Sequence, residues 1–312
     1  MPEPGTTSLV ASLLPLCEFP PAGTEVAVAV SGGADSLALV VLASAAGLKV
    51  TVWHVDHGMR EGSDLEAETV AKAAAAYGAR FESRTVTVPP GPDLEARARA
   101  ARYSALPAGV LTGHTMDDQA ETVLLNLLRG AGPDGLAGMQ GGSDGRSGAP
   151  RRPLLGLRRR ETEAVCAAEG LVPFRDPTND DPRFRRNRVR HEVIPLLSDV
   201  AGRDIVPVLA RQADLISDEA SLLESLAAGI DPTDARSLRE APVPLARRAL
   251  RTWLRAPDNG GDAEAHPPSS AEIERVLVVA RGMATACEIA GGRRVARSAG
   301  RLRVETPLPE CQ

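Results

Sequence analysis

A buried strand that runs directly into a glycine-rich turn constrains this chain most. Residues 26–30 (VAVAV) form a continuous apolar run, which is typical of a strand buried on both faces of a parallel sheet. The turn 31–36 (SGGADS) follows, and a helix is predicted from Leu37 to Ala46. Strand, glycine-rich turn and helix in this order predict an α/β fold in which the turn presents backbone amides at a helix N-terminus.

The composition of this turn favours a phosphate site. Gly32 and Gly33 can adopt positive φ and let a ligand approach the backbone, while the Ser31 and Ser36 hydroxyls can donate hydrogen bonds. Asp35 is unexpected beside an anion unless a metal ion accompanies the phosphate and needs a carboxylate ligand. The alternative is a tight turn in which Asp35 or Ser36 caps the helix. The turn has no lysine, so it is not a GxxxxGK[ST] loop, and it is not a GxGxxG dinucleotide turn.

Strands and helices alternate after this turn. The predicted strands are 49–55, 81–88 and 110–112, and the predicted helices are 63–77, 93–106 and 117–129. This alternation predicts a doubly wound parallel sheet with right-handed crossovers. Ligands of such sheets bind beyond the carboxyl ends of the strands, where residues 31–36, 54–57 and 113–114 would meet.

The rest of the chain predicts a basic segment and a second domain. Residues 130–150 are rich in glycine and predict a loop, whereas Arg151–Arg190 contain eleven arginines against six acidic residues. Further predicted elements are helices at 158–169, 184–197 (broken near Pro195), 205–227, 237–254 and 271–280, a turn at 174–181 and a β-hairpin at 287–305. We therefore expect a larger domain over 1–205 and a smaller, mainly helical C-terminal domain over 206–312.

Composition narrows the class of protein. The net charge of −5 does not indicate a nucleic-acid-binding protein, although the basic segment leaves a local patch open. Cys17, Cys166, Cys287 and Cys311 are not paired at CxxC spacing, so neither a zinc site nor a redox dithiol is indicated. No apolar run approaches the ~20 residues that cross a bilayer, and the N-terminus does not resemble a signal peptide. We expect a cytoplasmic protein without a membrane partner; the oligomeric state stays open, with a homodimer among the alternatives.

A second motif lies at residues 114–122 (HTMDDQAET). Asp118 and Glu121 are three residues apart and therefore share one face of the predicted helix. Together with His114 they would converge beside the glycine-rich turn. The alternative is that these acidic residues serve the dipole of the helix in its first turn, as is common.

Both motifs resemble those of known families. The turn SGGADS resembles the SGGxDS pyrophosphate loop of the N-type ATP pyrophosphatases (the PP-loop superfamily), and residues 113–122 resemble GHxxDDxxET, the signature of the tRNA(Ile)-lysidine synthetases. Further stretches that resemble the second family are 54–60 (HVDHGMR), 98–103 (ARAARY), 124–138, 152–155 (RPLL), 176–179 (DPTN) and 186–190 (RNRVR). The resemblance is continuous from about residue 26 to 195 and is weak in the C-terminal third.

This resemblance implies a fold and a reaction. The fold would be that of a PP-loop ATP pyrophosphatase. ATP, with Mg²⁺, would adenylate the C2 oxygen of the wobble cytidine in a CAU-anticodon tRNA(Ile). The ε-amine of free lysine would then displace AMP, so that the products are lysidine, AMP and pyrophosphate.

The resemblance also implies roles for individual residues. ATP would be bound by Ser31, Gly32, Gly33, Ala34, Asp35, Ser36 and His54, with Asp35 also binding Mg²⁺. The residues expected to take part in catalysis are Asp35, Arg99, His114, Asp118 and Glu121. Arg99 would stabilise charge on the α-phosphate, although an arginine on a helix is often simply solvated.

Three further roles concern the other two substrates. His114 and Asp118 would contact the cytidine, because a carboxylate can accept from its exocyclic amine, and Glu121 would hold or deprotonate the lysine amine. Phosphates of the tRNA would contact the basic segment 151–195 and its surroundings, with Arg129, Arg185, Arg188 and Arg190 as candidates. A solvated helix face is the alternative for each of these arginines.

Three other functions compete with this interpretation. A tRNA 2-thiolation enzyme of the same superfamily would need catalytic cysteines or an iron–sulfur cluster, and the chain has no CxxC. An amide-forming ATP pyrophosphatase that acts on a small molecule would lack the basic segment. A regulator that binds nucleotide without catalysis would bind ATP but release no pyrophosphate.

Overall fold

A parallel sheet forms the centre of the larger part of the protein. The computed structural model describes residues 4–56, 63–87, 94–141, 148–174, 181–256, 259 and 268–305. Within these residues, four parallel strands pair in the order β3-β2-β1-β4. The strands are β1 (Glu25–Ala29), β2 (Lys49–Asp56), β3 (Arg80–Thr85) and β4 (Leu111–Thr112). The predicted parallel α/β sheet is confirmed.

Helices alternate with these strands and continue beyond them. The helices are α1 (Pro4–Leu13), α2 (Ala34–Ala45), α3 (Ser63–Ala76), α4 (Leu94–Ala105), α5 (Met116–Leu128), α6 (Pro133–Leu136), α7 (Arg159–Ala168), α8 (Arg185–Arg188) and α9 (Ile194–Ala201). Among the described helices, none is both long enough and apolar enough to span a membrane.

The direction of winding reverses at one position of the sheet. Strand β1 pairs with β2 on one side and with β4 on the other, so the direction of winding reverses between β1 and β4. The register aligns Ala29, the last residue of β1, with Thr112, the last residue of β4, and with Trp53 of β2. A crevice is expected at such a reversal, because the loops that follow the two neighbouring strands diverge there.

The core is aliphatic, as a chain with few aromatic residues requires. Val28, Leu39 and Leu42 are fully buried between the sheet and α2. Leu154 and Leu157, which precede α7, join the same cluster and are also fully buried. Each such side chain stabilises the fold by about 1.5–3 kcal/mol, so α7 is anchored to the sheet domain by its own approach segment.

Helix α2 begins earlier than predicted. It starts at Ala34 rather than Leu37, so Ala34, Asp35 and Ser36 form its first turn. Gly33 is the N-cap residue, with φ −74° and ψ 162°. An extended N-cap residue followed by an acidic residue in the first turn favours the start of a helix, which explains why α2 begins at Ala34. The second half of the predicted turn is therefore helical.

The basic helix is not broken at Pro195, which corrects the prediction. Helix α8 runs into a π turn at Val189–Val193 and then into α9, of which Pro195 is the second residue. The wider π turn accommodates the missing amide and the ring of the proline, so the helical path continues.

Two other predicted segments differ in detail. The predicted loop at 130–150 contains the short helix α6, while 142–147 lie outside the described residues. Most of the turn predicted at 174–181 also lies outside them, since 175–180 are not described.

The chain divides into two compact units, Met1–Ser217 and Asp218–Gln312. The division falls within helix α10 (Val206–Ala227), so the boundary predicted at 205/206 stays a prediction. The second unit contains α11 (Ala235–Glu240), α12 (Val243–Arg255), α13 (Ser270–Ala280) and an antiparallel sheet of β5 (Ala286–Glu288), β6 (Arg294–Ser298) and β7 (Arg301–Glu305). The segment predicted as a β-hairpin thus forms three antiparallel strands instead of two, and the mainly helical character of this part is confirmed.

The close approach of β4 to α2 gives a first prediction. A Cβ on Gly113 would lie 2.6 Å from the Asp35 carbonyl oxygen and 3.0 Å from the Ser36 amide nitrogen. Because both neighbours are backbone atoms, we expect Gly113→Ala to lower the free energy of unfolding by about 1–3 kcal/mol. Urea denaturation followed by Trp53 fluorescence in a Trp253→Phe background would measure it.

Gly229→Ala is the matched control, because its Cβ would meet only the Leu226 carbonyl at 3.8 Å. If Gly113→Ala and Gly229→Ala change the free energy of unfolding equally, the close approach of β4 to α2 has no energetic importance.

Candidate active site

The loop between β1 and α2 is braced by its own side chains and backbone. Gly32 has φ +82°, which favours glycine, and its carbonyl accepts from the Phe174 amide at 2.9 Å. The Ser36 hydroxyl is buried; it donates to the Gly33 carbonyl at 2.9 Å and accepts from the Ser31 amide at 3.2 Å. The Ser36 hydroxyl therefore fixes the shape of the loop.

The start of α2 offers donors to an anion. The amides of Ala34, Asp35 and Ser36 occupy the first helical positions, where the α-helix supplies no acceptor. The helix dipole adds a partial positive charge at the same place. Together they form a site of the kind that binds phosphate at helix N-termini.

His54 supports this loop and is enclosed. Its ring is 2% exposed, and Nδ1 lies 2.9 Å from the carbonyl oxygen of Val30, the last residue before the loop. The ring thus holds the end of β1 against β2. Whether His54 also contacts ATP stays a prediction, and the contact that the structure gives it is with the backbone that leads into the loop.

One arginine brings the predicted acidic residues together. The guanidinium of Arg159 lies 3.3 Å (Nε) from Asp35 Oδ2, 2.8 Å (Nη2) from Asp118 Oδ1 and 3.3 Å (Nη1) from Glu121 Oε1. Asp35 belongs to α2, whereas Asp118 and Glu121 belong to α5. The second oxygen of Asp35 accepts from the Thr162 hydroxyl, one turn along α7. The two predicted motifs therefore meet at a guanidinium from a third helix.

Two more arginines complete the cluster. Arg186 Nε lies 2.6 Å from Glu121 Oε2, and its Nη2 lies 3.0 Å from Asp118 Oδ1. Arg190 donates to both oxygens of Glu121, at 2.6 and 3.1 Å. Three carboxylates and three guanidiniums thus form one network, which we call the carboxylate–arginine cluster: Asp35, Asp118, Glu121, Arg159, Arg186 and Arg190.

Burial explains why the charges are paired so completely. The side chain of Glu121 is 1% exposed and that of Asp118 is 11% exposed. An ionised carboxylate cannot be enclosed in this way unless cations and hydrogen bonds compensate it. Removing one partner of such a pair typically costs about 3–5 kcal/mol, because the remaining charge stays buried.

Two pKa shifts distinguish the carboxylates. Burial raises the pKa of Asp118, but Arg159, Arg186 and His114 outweigh it and bring that pKa to about 2. For Asp35, burial is the largest influence and the pKa is raised, although Arg159 opposes the shift. Asp118 therefore stays ionised and is a weak base, whereas the environment of Asp35 disfavours the ionised form of its carboxylate.

Asp118 has a structural function in addition. Its Oδ2 accepts from the Thr115 amide at 2.9 Å and from the Thr115 hydroxyl at 3.0 Å. Oδ2 thereby satisfies donors at the start of α5, and Oδ1 faces the arginines. The helix-start interpretation of this residue therefore holds for Oδ2, while its role in a functional site stays a prediction.

His114 lies beside the cluster. Its Nδ1 is 2.9 Å from the Thr112 hydroxyl oxygen, which also donates to the Arg151 carbonyl at 3.2 Å. The Thr112 hydroxyl thus lies between the Nδ1 atom of His114 and the Arg151 carbonyl oxygen. The ring orientation is thus set by the last residue of β4.

The neighbouring arginine fastens α7 to α5. Arg158 contacts Asp117 with Nε at 2.9 Å and Nη2 at 3.0 Å, and the Arg159 amide donates to Asp117 Oδ2 at 2.8 Å. Burial raises the pKa of Asp117, but the bonds from Arg158 and Arg159 outweigh it and lower that pKa. Arg158 also pairs with Asp204. This clamp holds the first turn of α7 where Arg159 reaches the cluster.

The residues present fit Mg²⁺ only as a partner of a bound nucleotide. Within the described chain, no group of three or more His, Cys, Asp or Glu side chains is arranged to hold a metal ion. Mg²⁺ usually takes one or two carboxylates and obtains its other ligands from substrate phosphates and water. Asp35, which adjoins the anion-binding helix start, is a suitable single carboxylate.

The predicted tRNA-contacting arginines separate into two groups. Arg129 and Arg185 are exposed, and Arg188 is exposed beside Glu192, with 2.9 Å between Nη2 and Oε2. Arg190 instead pairs with Glu121, and its predicted contact with tRNA phosphates stays a prediction. Arg99 lies in α4, and its side chain is outside the described residues.

Sequence reasoning missed three members of the site: Arg159, Thr162 and Arg186. The basic segment was interpreted as a surface for phosphates, although Arg186 and Arg190 are four residues apart and therefore share a helix face. That spacing was the available signal. Nothing comparable in the sequence linked Arg159 or Thr162 to Asp35, because their contact depends on how α7 packs against α2.

Comparisons with known proteins identify the family of this chain. The PP-loop domain family matches residues 9–197. The tRNA(Ile)-lysidine synthase of Salinispora tropica is 43% identical over 316 residues, 94% of this chain and 93% of that protein. The enzyme of the same name from Rhodococcus erythropolis is 44% identical over 243 residues, 74% of each chain.

A solved structure is similar in fold. The U34-tRNA thiolase NcsA from Methanococcus maripaludis, with its [4Fe-4S] cluster, gives a TM-score of 0.52 at 17% identity, over 68% of this chain and 79% of that one. At this identity the likeness concerns the fold alone.

The low pKa of Asp118 gives a second prediction, which concerns pH and stability. A carboxylate whose pKa is about 2 in the folded protein, against an ordinary value of 3.8, stabilises the fold above about pH 4 and loses that contribution as the pH falls toward 2. The contribution is about 2 kcal/mol. The difference in free energy of unfolding between wild type and Asp118→Asn should therefore shrink by about that amount between pH 5 and pH 2.

Urea titrations with Trp53 as the probe, in the Trp253→Phe background, would measure both proteins across this range. A difference that stays constant with pH would contradict the assigned electrostatic role of Asp118.

Proposed function

This chain belongs to the PP-loop family of tRNA(Ile)-lysidine synthases, and from that premise we propose that it joins free lysine to C2 of the wobble cytidine in a CAU-anticodon tRNA(Ile). The reaction would consume ATP and form lysidine, AMP and pyrophosphate. The chain is thus proposed to be an ATP-dependent ligase that modifies tRNA.

The observation that carries this proposal is the meeting of two motifs at one point of the sheet. The anion-binding start of α2 and the carboxylates of α5 lie on either side of the reversal between β1 and β4, and Arg159 contacts both. A nucleotide phosphate and a second, hydrogen-bonding substrate can therefore be held side by side. Adenylation of a base requires that juxtaposition.

In the first proposed step, the cytidine O2 attacks the α-phosphorus of ATP. The bond from that phosphorus to the bridging oxygen breaks, and pyrophosphate leaves with the electron pair. The first-turn amides of α2 hold the departing pyrophosphate, and Asp35 is the proposed Mg²⁺ ligand. When bound, Mg²⁺ neutralises charge on the phosphates.

In the second proposed step, the lysine amine attacks C2 of the adenylated base. The neutral amine forms the C2–N bond as the bond from C2 to oxygen breaks, AMP leaves with that oxygen and the electron pair, and one proton of the amine passes to water. Asp118 is suited to accept from an N–H group and not to remove a proton, because its pKa is about 2. For Glu121 to hold the amine, one of its three arginines would have to give up its place.

Exposed arginines support contact with the tRNA backbone. Arg129 lies at the C-terminal end of α5 and Arg185 at the start of α8. Both are exposed, and no ion pair is recorded for either among the described residues. Contacts of this kind position a nucleic acid without specifying its sequence.

The central test of this function is lysine transfer, which is our third prediction. The protein is incubated with ATP, Mg²⁺, labelled lysine and a CAU-anticodon tRNA(Ile) transcript, and label in the tRNA is counted. We expect label only when ATP is present, and pyrophosphate release without lysine should stop near one equivalent per enzyme-bound tRNA. Absence of label with active release of pyrophosphate would point to another acceptor and would contradict the proposal.

Asp35→Asn tests the site within the same assay. The carboxamide keeps the shape of the side chain and removes its charge, so we expect pyrophosphate release to fall by at least about 100-fold. Arg211→Gln, an exposed substitution on α10, is the control for a change of one charge.

The salt dependence of tRNA binding gives a fourth prediction. Each phosphate contact that is lost should reduce the slope of log K against log salt by about 0.7–0.9. We therefore expect Arg129→Gln and Arg185→Gln each to weaken binding and to flatten this slope, as measured by filter binding between about 50 and 200 mM salt.

Arg211→Gln is again the control for this measurement. If Arg129→Gln, Arg185→Gln and Arg211→Gln all give the wild-type slope, these two arginines do not contact phosphate.

A further inference from the structure

One guanidinium contacts three carboxylates that come from two different helices. Arg159 reaches Asp35 of α2, and Asp118 and Glu121 of α5, at 3.3, 2.8 and 3.3 Å. Within the described residues, the carboxylates that pair with Arg186 and Arg190 are those of α5. Among the described arginines, Arg159 is thus the one whose recorded contacts link the loop carboxylate to the other two.

Helix α7 holds Asp35 at both of its oxygens. Arg159 Nε donates to Oδ2 and the Thr162 hydroxyl donates to Oδ1. Cys166, four residues further along the helix, donates to the Ala34 carbonyl at 3.3 Å. One face of α7 therefore determines where the Asp35 carboxylate lies.

The three contacts of Arg159 are not equivalent. The contact with Asp118 is the shortest, at 2.8 Å, while Asp35 accepts at 3.3 Å. Asp35 is also the most exposed of the three carboxylates, with 24% of its side chain accessible against 11% for Asp118 and 1% for Glu121. The Asp35 contact is consequently the one that a cation entering from solvent can replace.

We propose that Arg159 is a positioning residue that aligns Asp35 with Asp118 and Glu121 and yields its contact with Asp35 to the cation that accompanies ATP. The proposal rests on the proposed function, because it concerns the same adenylation site. Arg159 keeps its contacts with Asp118 and Glu121 after the exchange, so α2 and α5 stay in register. A lysine could supply the charge but not the planar fork that serves three carboxylates.

The test uses the full chain and two independent measurements. Single-turnover pyrophosphate release with tRNA and ATP, in the absence of lysine, reports adenylation. Mn²⁺ binding, measured by electron paramagnetic resonance with α,β-methylene-ATP present, reports the cation at Asp35 without catalysis. The variants are Arg159→Gln and Arg159→Lys, with Arg211→Gln as the charge-matched control and thermal unfolding as the check on folding.

For Arg159→Gln we expect opposite changes in the two measurements. Pyrophosphate release at saturating ATP should fall at least about tenfold, because Asp35 is no longer aligned. Mn²⁺ should bind more tightly, because the competing guanidinium is gone. For Arg159→Lys, release should also fall at least about tenfold while Mn²⁺ affinity stays near wild type, since the charge is kept and the fork is lost.

Two results would overturn the proposal: release within about tenfold of the Arg211→Gln control, or Mn²⁺ binding by Arg159→Gln that is unchanged or weaker. If Arg159→Gln does not fold, Arg159→Lys decides by its rate alone. Lysine transfer by the wild type is measured in parallel. If the wild type transfers no lysine, the proposed function is wrong. The comparison of Mn²⁺ binding between the variants would still test the role of Arg159.

Discussion

The carboxylate–arginine cluster is the interaction on which the arrangement of the sheet edge depends. Three carboxylates so close to one another repel, and the nearly inaccessible Glu121 has no water to compensate its charge. The arginines remove both penalties, and they come from α7 and from the helical path through α8, so these distant segments are drawn to the start of α5. The cluster therefore holds these helices together, and it also lines the candidate site. It explains why a fold with an aliphatic core keeps so much charge at one place.

The same cluster limits the positively charged surface that is available to tRNA. Much of the basic segment is engaged with carboxylates: Arg158, Arg159, Arg183, Arg186, Arg188 and Arg190 each have such a partner. The net charge of the segment is therefore larger than the positive charge that its exposed surface presents to a polyanion. Under the proposed function, contact with the tRNA backbone would fall to exposed arginines outside these pairs, among them Arg129 and Arg185. The acidic balance of the whole chain is consistent with a small, local basic surface.

Secondary structure and fold class followed from the sequence because they are local and periodic. The apolar run before Gly32, the alternation of strands and helices, and the helical spacing of Asp118 and Glu121 all have short-range causes. The convergence of the loop with α5 was also predictable, since parallel strands bring their carboxyl ends to one edge. The path through Pro195 was not, because a π turn depends on the packing around it. The partners of Asp35 were not predictable either: Arg159 lies 124 residues away along the chain, and only the packing of α7 on α2 joins them.

Charge balance in the cluster bears on how a nucleotide can enter. With its carboxylates and guanidiniums ionised, the cluster is neutral, so it neither attracts nor repels ATP strongly at long range. The anion-binding start of α2 then supplies the attraction, and the raised pKa of Asp35 marks that carboxylate as the one least well compensated. Under the proposed function, a divalent cation that arrives with the nucleotide would compensate the charges of Asp35 and of the phosphates together. Asp118 gains less from the same cation, because Oδ2 caps its own helix and Oδ1 already faces two arginines. Under the proposed function, this distribution of partners would direct a metal–nucleotide to the loop and leave α5 for the second substrate.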